Sequence, residues 1–199
     1  MHLPDFDSLG NLPEGVYHCD ISDLHAHFVA PFPTSIIRQE IFDGYVKLRE
    51  VYISLGVSAT QWVNGSFTTR KFDPDNPTQE IEPGDIDVVT FVDWDVANKL
   101  PPPNQLALMS IIDSREATKL VYKTHSMGMP SYPPGHPLFG MFETYRVWWR
   151  DRLSRHSPPS KRTPNDINLP HPSGAPRKGF ISLTLGDPAK APKINETRL

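Results

Sequence analysis

Apolar residues recur along this chain with two different periods, and these periods predict where its helices and strands lie. From about residue 35 to 54, apolar side chains three and four positions apart form the stripe of an amphipathic helix. Thr34 or Ser35 is suited to cap the first turn of this helix, and Gly56 is suited to end it. The pattern therefore predicts one long helix in the first third of the chain.

The same reasoning predicts three more helices and four strands. The helices are expected at about 21–28, 104–114 and 138–153, the first of them capped by Asp20 or Ser22. Short apolar or alternating runs predict strands at about 58–64, 85–92, 119–126 and 179–185. Between the first two strands, Pro74, Pro77 and Pro83 stop any helix early, so a long loop is expected there.

Mixed strands and helices of this kind predict an α/β (α+β) fold, with a small mixed β-sheet and helices packed mainly on one face. Residues 1–186 are expected to form a single domain, because 199 residues suffice for one core. The basic, proline-containing stretch at 156–177 is expected to be a mobile loop, and 187–199 a flexible C-terminal tail.

Composition narrows the class of protein further. The 22 prolines favour a compact body with long connections over a helical bundle. The net charge of −3 does not indicate a protein whose whole surface binds nucleic acid. Cys19 is the single cysteine, so no internal disulfide can form, and a cytoplasmic location is expected. No apolar run approaches the roughly 18 residues of a membrane span, and the first residues lack a signal-peptide layout.

Two short motifs in order along the chain carry the chemistry. Gly65-Ser66 ends one predicted strand, and a bend of this kind lets backbone N–H groups and a small hydroxyl approach a phosphate. Asp85 and Asp87 open the next strand. Since a strand alternates its faces, the two carboxylates are expected on one side about 7 Å apart, close enough to bind one hard cation. The alternative is that the Gly65-Ser66 pair is an ordinary turn and that the two aspartates face solvent without binding a cation.

Gly65-Ser66 followed along the chain by Asp85 and Asp87 resembles the signature of the polymerase-β-like nucleotidyltransferase superfamily, especially its minimal members. Trp62-Val63-Asn64 before the bend and the apolar run from Val88 after the acids are similar to an uncharacterised bacterial group of nucleotidyltransferase-like proteins. The resemblance continues to Tyr145–Trp149 and to the strand opened by Lys178-Gly179, and it covers roughly residues 12–186. It implies a sheet of the nucleotidyltransferase type.

The resemblance assigns roles to particular residues. Asp85 and Asp87 would hold Mg²⁺ or Mn²⁺, and the phosphates of a nucleoside triphosphate would be bound by the bend and its neighbours, namely Gly65, Ser66, Phe67 and Lys71. For Lys71 a solvated loop cation is the alternative. Superfamily members bring a third carboxylate from the next core strand, but the candidate strand at 119–126 contains no acid. His125 occupies that position, and an imidazole could serve as a general base in place of an acid.

The function implied is Mg²⁺-dependent transfer of a nucleoside monophosphate from a triphosphate to a protein or RNA hydroxyl. The family setting suggests a bacterial toxin–antitoxin or phage-defence system with a protein partner encoded nearby. The alternative is a catalytically degenerate nucleotidyltransferase-fold binding module that acts through a protein partner, and the missing third acid supports it. A third possibility is an RNA-binding protein that uses the aromatic helix at 138–153 and the basic loop.

Two further clusters favour structural interpretations. His18, Cys19, Asp20, His25 and His27 suggest zinc, but the paired spacing of structural zinc sites is missing, so polar residues of a short helix are expected. The rings of the helix at 138–153 are expected to be mostly buried, with its arginines solvated.

Overall fold

The computed structural model describes residues 3–73, 75–76, 78–155 and 177–196. These residues form an α+β fold with one five-stranded mixed sheet. The strands are β1 (Val16–His18), β2 (Ala59–Asn64), β3 (Ile86–Asp93), β4 (Thr124–Ser131) and β5 (Phe180–Leu185). The helices are α1 (Ile21–Phe28), α2 (Ile36–Ser54), α3 (Trp94–Ala97), α4 (Pro102–Ile112), α5 (Arg115–Tyr122) and α6 (Phe139–Leu153).

The strands lie in the order β1-β5-β2-β3-β4. β2 runs antiparallel to both β5 and β3, whereas β4 runs parallel to β3 and β1 runs parallel to β5. Parallel neighbours require a crossover, and α3, α4 and α5 supply it between β3 and β4. The β2–β3 pair is joined by the loop at 65–85, in which the described residues form no helix. The predicted long loop is therefore confirmed.

Local capping residues start the first two helices as the sequence predicts. The Asp20 side chain accepts a hydrogen bond from the backbone of Asp23 and begins α1, and the Ser35 hydroxyl accepts one from the backbone of Arg38 and begins α2. Gly56 follows the end of α2 with φ +83°, a conformation that favours glycine. These features fix the beginning of α1 and both ends of α2.

The two faces of the sheet pack against different helices. Val63, Val88 and Ile181 point toward α1 and α2, and Ala59 and Val92 extend this layer toward α4. On the opposite face Trp62, Val89, Phe91 and Phe180 pack against the apolar residues of α6, among them Phe142 and Trp149. The alternation of the strands thus divides the core into two layers.

The third predicted strand is wrong over most of its length. Residues 115–122 form α5, and the strand begins only at Thr124 and continues to Ser131, five residues beyond its predicted end. Leu120 and Val121 suggested a buried strand, yet they are 86% and 66% exposed on the outer side of α5. Their apolar character did not report burial, which is why the pattern failed here.

The expected solvation of the α6 arginines is wrong for Arg146. Its side chain is fully buried and donates to Glu143 at 2.8 Å and to the backbone oxygen of Asn195. The rings divide: Phe142 and Trp149 are buried, whereas Tyr145 and Trp148 are exposed. Arg146 therefore holds the C-terminal segment against α6.

The C-terminal residues up to 196 contact β2. The Thr60 hydroxyl donates to the backbone oxygen of Pro192 at 2.6 Å, and the Trp62 indole donates to Glu196 at 3.3 Å. The predicted basic loop falls almost entirely at residues 156–176, which lie outside the described residues. In the part of the chain that is described, no helix combines the length and apolar character needed to cross a membrane.

Candidate functional site

Three polar residues lie side by side on neighbouring strands at one end of the sheet. Asn64 ends β2 and is paired in register with Asp87 on β3, which is paired in turn with His125 on β4. Residues opposite each other in a sheet point to the same face, here the face that carries α6. The Asn64 side chain links this row of residues to α6, because its amide donates to the backbone oxygen of Leu153 at the end of that helix.

Gly65 brings the turn after β2 into contact with Asp87. Its φ is +97°, and a Cβ at this position would lie 2.9 Å from both the backbone nitrogen and Oδ2 of Asp87. The Gly65 N–H donates to Oδ1 of Asn64 at 2.8 Å, which fixes the turn. The Gly65 turn and Asp87 are therefore in direct contact, and only glycine tolerates both the conformation and the contact.

Ser66 fastens the two ends of the long loop together. Its hydroxyl accepts a hydrogen bond from the backbone of Gly84 at 3.1 Å and donates one to the backbone oxygen of Asp85 at 3.2 Å. Asp85 itself lies one residue before β3. The hydroxyl that the sequence suggested for phosphate binding thus contacts the segment that carries the two acids.

The remaining predicted nucleotide-binding residues lie farther from this point. The Phe67 ring is buried in the core beside Phe28, and its backbone oxygen accepts from Arg38 at 2.8 Å. Lys71 does not line the cleft described below. The structure therefore brings Gly65, Asp87 and His125 together, with Ser66 and Asp85 adjoining them.

Asp87 and His125 form a hydrogen-bonded pair. Nδ1 of His125 lies 3.1 Å from Oδ1 of Asp87, and the guanidinium Nε of Arg115 contacts the Nε2 atom of the same imidazole. Because a guanidinium only donates, Nε2 acts as the acceptor. Nδ1 then carries the ring proton and donates a hydrogen bond to Asp87. The carboxylate thus orients the ring, and Arg115 covers the basic nitrogen.

The surroundings keep Asp87 ionised. Burial raises the pKa of Asp87, but the hydrogen bond from His125 and the nearby positive charges of Lys178 and Arg115 together lower the pKa below its ordinary value. Its side chain is 43% exposed, so the carboxylate also faces the open side of the site. Asp87 is therefore an anion at neutral pH, surrounded by cations.

A cleft of about 120 Å³ opens where these strands meet the C-terminal end of α6. Among the described residues, its charged lining consists of one carboxylate, Asp87, and four cations, Arg115, Arg152, Arg155 and Lys178. The full chain carries a net charge of −3, so the excess of positive charge is local. Cations gathered in a concave site focus their field and attract anionic ligands.

Asp151 neutralises part of this charge. Its carboxylate accepts from Arg155 at 2.7 Å and from Arg177 at 2.9 Å. Burial raises the pKa of Asp151, but the two guanidinium groups outweigh it and lower the pKa overall. One carboxylate shared by two arginines leaves the rim of the cleft positive.

The acids do not fit a divalent cation as they stand. Among the residues that the structure describes, no three His, Cys, Asp or Glu side chains are grouped so that they could hold a metal ion. Asp85 is paired with Lys119 at 2.6 Å, and Asp87 is paired with His125. Mg²⁺ requires oxygen ligands, and each of these carboxylates already has a nitrogen partner.

The sequence patterns did not identify the cations of the site as a group. Arg115 and Lys119 lie on α5, but Lys119 was assigned to the predicted strand at 119–126 and Arg115 to no element, so no helical face was assigned to them. Arg152 and Lys178 come from α6 and from the residue before Gly179, and only the fold brings them together. The one available signal was the spacing of four residues between Arg115 and Lys119, which places both on one side of a helix.

The histidines and cysteine near the N-terminus have separate structural contacts. His18 pairs with Glu196 at 2.8 Å, the His25 ring lies edge-on to Phe42, and Asp20 caps α1. The zinc alternative thus gains no support from the described residues, where no metal-holding group is found.

Cys19 is expected to react slowly with thiol reagents in the native protein. Burial, followed by the charges of Asp23 and Asp20, raises the pKa of Cys19 to about 12, so the reactive thiolate is scarce at pH 8. Alkylation by iodoacetamide at pH 8 should be at least about tenfold slower in the native protein than in urea. Equal rates in the two states, followed by mass spectrometry, would contradict this description of Cys19.

The fold and the site define an α+β protein with a cationic cleft where the Gly65 turn meets the Asp87–His125 pair. The chain belongs to a family of unknown function, DUF6932, whose profile matches residues 4–183. The matched region contains every cleft-lining residue named above. No curated protein and no solved structure was found to match the chain.

Proposed function

We propose that the protein binds the phosphate chain of a nucleoside triphosphate in this cleft, as a domain of the nucleotidyltransferase type. The observation that carries the proposal is the convergence of the Gly65 turn, Asp87 and His125 in a cleft with four cations. The single cysteine favours a cytoplasmic location for such a protein.

The cations suit a phosphate chain better than a simple carboxylate ligand. Arg115, Arg152 and Arg155 present planar guanidinium groups, which bind phosphate oxygens through paired hydrogen bonds. Lys178 adds a compact charge that is 4% exposed, and a partly dehydrated ammonium group attracts an anion more strongly than a solvated one. A ligand with several negative charges would attract these cations more strongly than the single carboxylate of Asp87 does.

Since Asp85 and Asp87 do not fit a divalent cation, the phosphate charge is neutralised by the protein itself. Binding of a triphosphate should then persist when metal ions are removed with EDTA. It should weaken as the salt concentration rises, because ions screen the charges around the open cleft.

Arg152→Gln tests the proposal directly. Isothermal titration with ATP, GTP, CTP and UTP in EDTA should give saturable binding to the wild type for at least one nucleotide, weakened about tenfold or more by the variant, since a charge-assisted hydrogen bond contributes about 1.5–3 kcal/mol. Lys190→Gln removes the same charge at an exposed position away from the cleft, where Lys190 pairs with Asp187. Equal affinity for both variants, or no binding of any nucleotide to the wild type, would contradict the proposal.

A second candidate function is nucleotidyl transfer to a protein or RNA hydroxyl, and the Asp87–His125 pair favours it. The acceptor oxygen would attack the α-phosphorus, the bond from that phosphorus to the bridging oxygen would break, and pyrophosphate would leave. Nε2 of His125 would take the hydroxyl proton after Arg115 turns from the ring toward the phosphates. A triphosphate arriving beside Arg115 supplies the competing anion for that movement.

Incubation with each α-labelled triphosphate and cell lysate separates transfer from binding alone. Label transferred by the wild type and not by His125→Gln, at unchanged nucleotide affinity, would support the transferase. Nucleotide binding without label transfer from any of the four would favour the binding module that acts through a protein partner.

A further inference from the structure

One side of α5 carries two cations that contact the site. One of them contacts Asp85, and the other contacts the histidine that pairs with Asp87. Arg115 and Lys119 are four residues apart and therefore share one side of the helix. Arg115 contacts His125, the partner of Asp87, while Nζ of Lys119 lies 2.6 Å from Oδ2 of Asp85. The arrangement places an ammonium group where the resemblance to nucleotidyltransferases led us to expect a metal ion.

The charge of Lys119 acts on both acids. The hydrogen bond to Asp85 is the main cause that raises the pKa of Lys119, and although burial opposes it, the charges of Asp85, Asp87 and Glu116 raise the pKa further. Asp85 is only 17% exposed, so its carboxylate has little water to stabilise it apart from this partner. Lys119 is thus fully protonated at neutral pH, beside the mostly buried carboxylate of Asp85.

We propose that the ammonium group of Lys119 is the built-in counter-ion of Asp85 and Asp87, and that it excludes a divalent cation from them. Two carboxylates with water or phosphate oxygens suffice for Mg²⁺ or Mn²⁺ when no competing cation is present. An ammonium group at hydrogen-bond distance occupies one of the required oxygens and repels the metal ion. This inference concerns the acids alone and holds whether or not the cleft binds a nucleotide.

Removing the charge of Lys119 should therefore open a metal site. In a titration of the nucleotide-free, full-length protein with Mn²⁺, followed by electron paramagnetic resonance, Lys119→Met is expected to bind Mn²⁺ about tenfold or more tightly than the wild type. That size follows from removing a unit charge at contact distance in a partly solvated site. Methionine keeps most of the side-chain length, so packing along α5 is retained.

Lys123→Met is the matched control. Lys123 lies just after α5, and its side chain pairs with Glu40 and not with Asp85 or Asp87, so this variant should bind Mn²⁺ as the wild type does. Asp85→Asn added to Lys119→Met should remove the new site. Circular dichroism verifies that each variant is folded, and Lys119→Gln replaces the methionine variant if that one is not.

Three outcomes would overturn the inference. The first is a wild type that already binds Mn²⁺ as tightly as Lys119→Met, because the lysine would then exclude nothing. The second is a folded Lys119→Met that gains no affinity. The third is a gain that survives Asp85→Asn, because the metal would then lie elsewhere.

Discussion

Replacing Arg38 with methionine is expected to lower the free energy of unfolding by about 3 kcal/mol or more. The Arg38 side chain is 1% exposed and donates to the backbone oxygens of Phe67 and Thr69 at 2.8 and 2.7 Å, and to that of Phe28 at 3.3 Å. Methionine fills much of the space but leaves these buried acceptors without a donor. Urea denaturation followed by circular dichroism measures the loss.

Arg70→Met is the matched control for this prediction. Arg38 and Arg70 both pair with Glu80, but the Arg70 side chain is about half exposed and its distance to Glu80 is 3.6 Å. An exposed ion pair contributes about 0–1 kcal/mol, so the control should lose little stability. A loss of the same size in both variants would show that the buried backbone contacts of Arg38 do not matter.

The Arg38 contacts also concern the site, because they fix the segment that follows the Gly65 turn. Phe67 and Thr69 lie two and four residues after Gly65 and are tied through Arg38 to the first turn of α2. Arg38→Met is therefore expected to loosen the turn as well as the core. Amide hydrogen exchange at residues 65–69 would register this loosening even where the protein stays folded.

Gly65→Ala is expected to lower the free energy of unfolding by about 1–3 kcal/mol, the usual cost of a strained backbone conformation. It should also weaken triphosphate binding about tenfold or more, because displacing a ligand-contacting segment by even about 1 Å is costly. The new Cβ would lie 2.9 Å from the backbone nitrogen and Oδ2 of Asp87, so the turn or β3 has to move. Thermal denaturation and isothermal titration measure the two effects.

Gly84→Ala is the control in the same loop. A Cβ at Gly84 meets no atom within 4 Å, and its backbone N–H still donates to Ser66. Stability and nucleotide affinity should therefore stay close to those of the wild type. If Gly84→Ala impaired both properties as much as Gly65→Ala, the close contact between Gly65 and Asp87 would not be their cause.

The sequence predicted the elements whose apolar spacing is regular and whose ends carry caps. α2 lies between Ser35 and Gly56, as expected, and β2 and β3 begin and end within one residue of their predicted bounds. The prediction failed at α5 and at residues 127–131 of β4. Leu120 and Val121 of α5 lie in solvent, and β4 contains Gly128 and Pro130, which are unfavourable for strands.

The candidate site was predictable where neighbouring strands meet. Gly65 and Asp87 mark the joined ends of β2 and β3, and such pairs follow from local pattern. His125 was placed beside them although its strand was assigned too early. The cations could not be assigned to one site, because Arg115, Arg152 and Lys178 lie far apart in the chain and meet only after folding.

Triphosphate binding in the cleft is tested most directly by a crystal structure of the protein with a non-hydrolysable triphosphate analogue, grown in EDTA. The phosphate chain should lie in the cleft, with its oxygens accepting hydrogen bonds from Arg152 and Lys178 near the Gly65 turn. A triphosphate bound at any other place, or an empty cleft at a saturating concentration of the analogue, would contradict it.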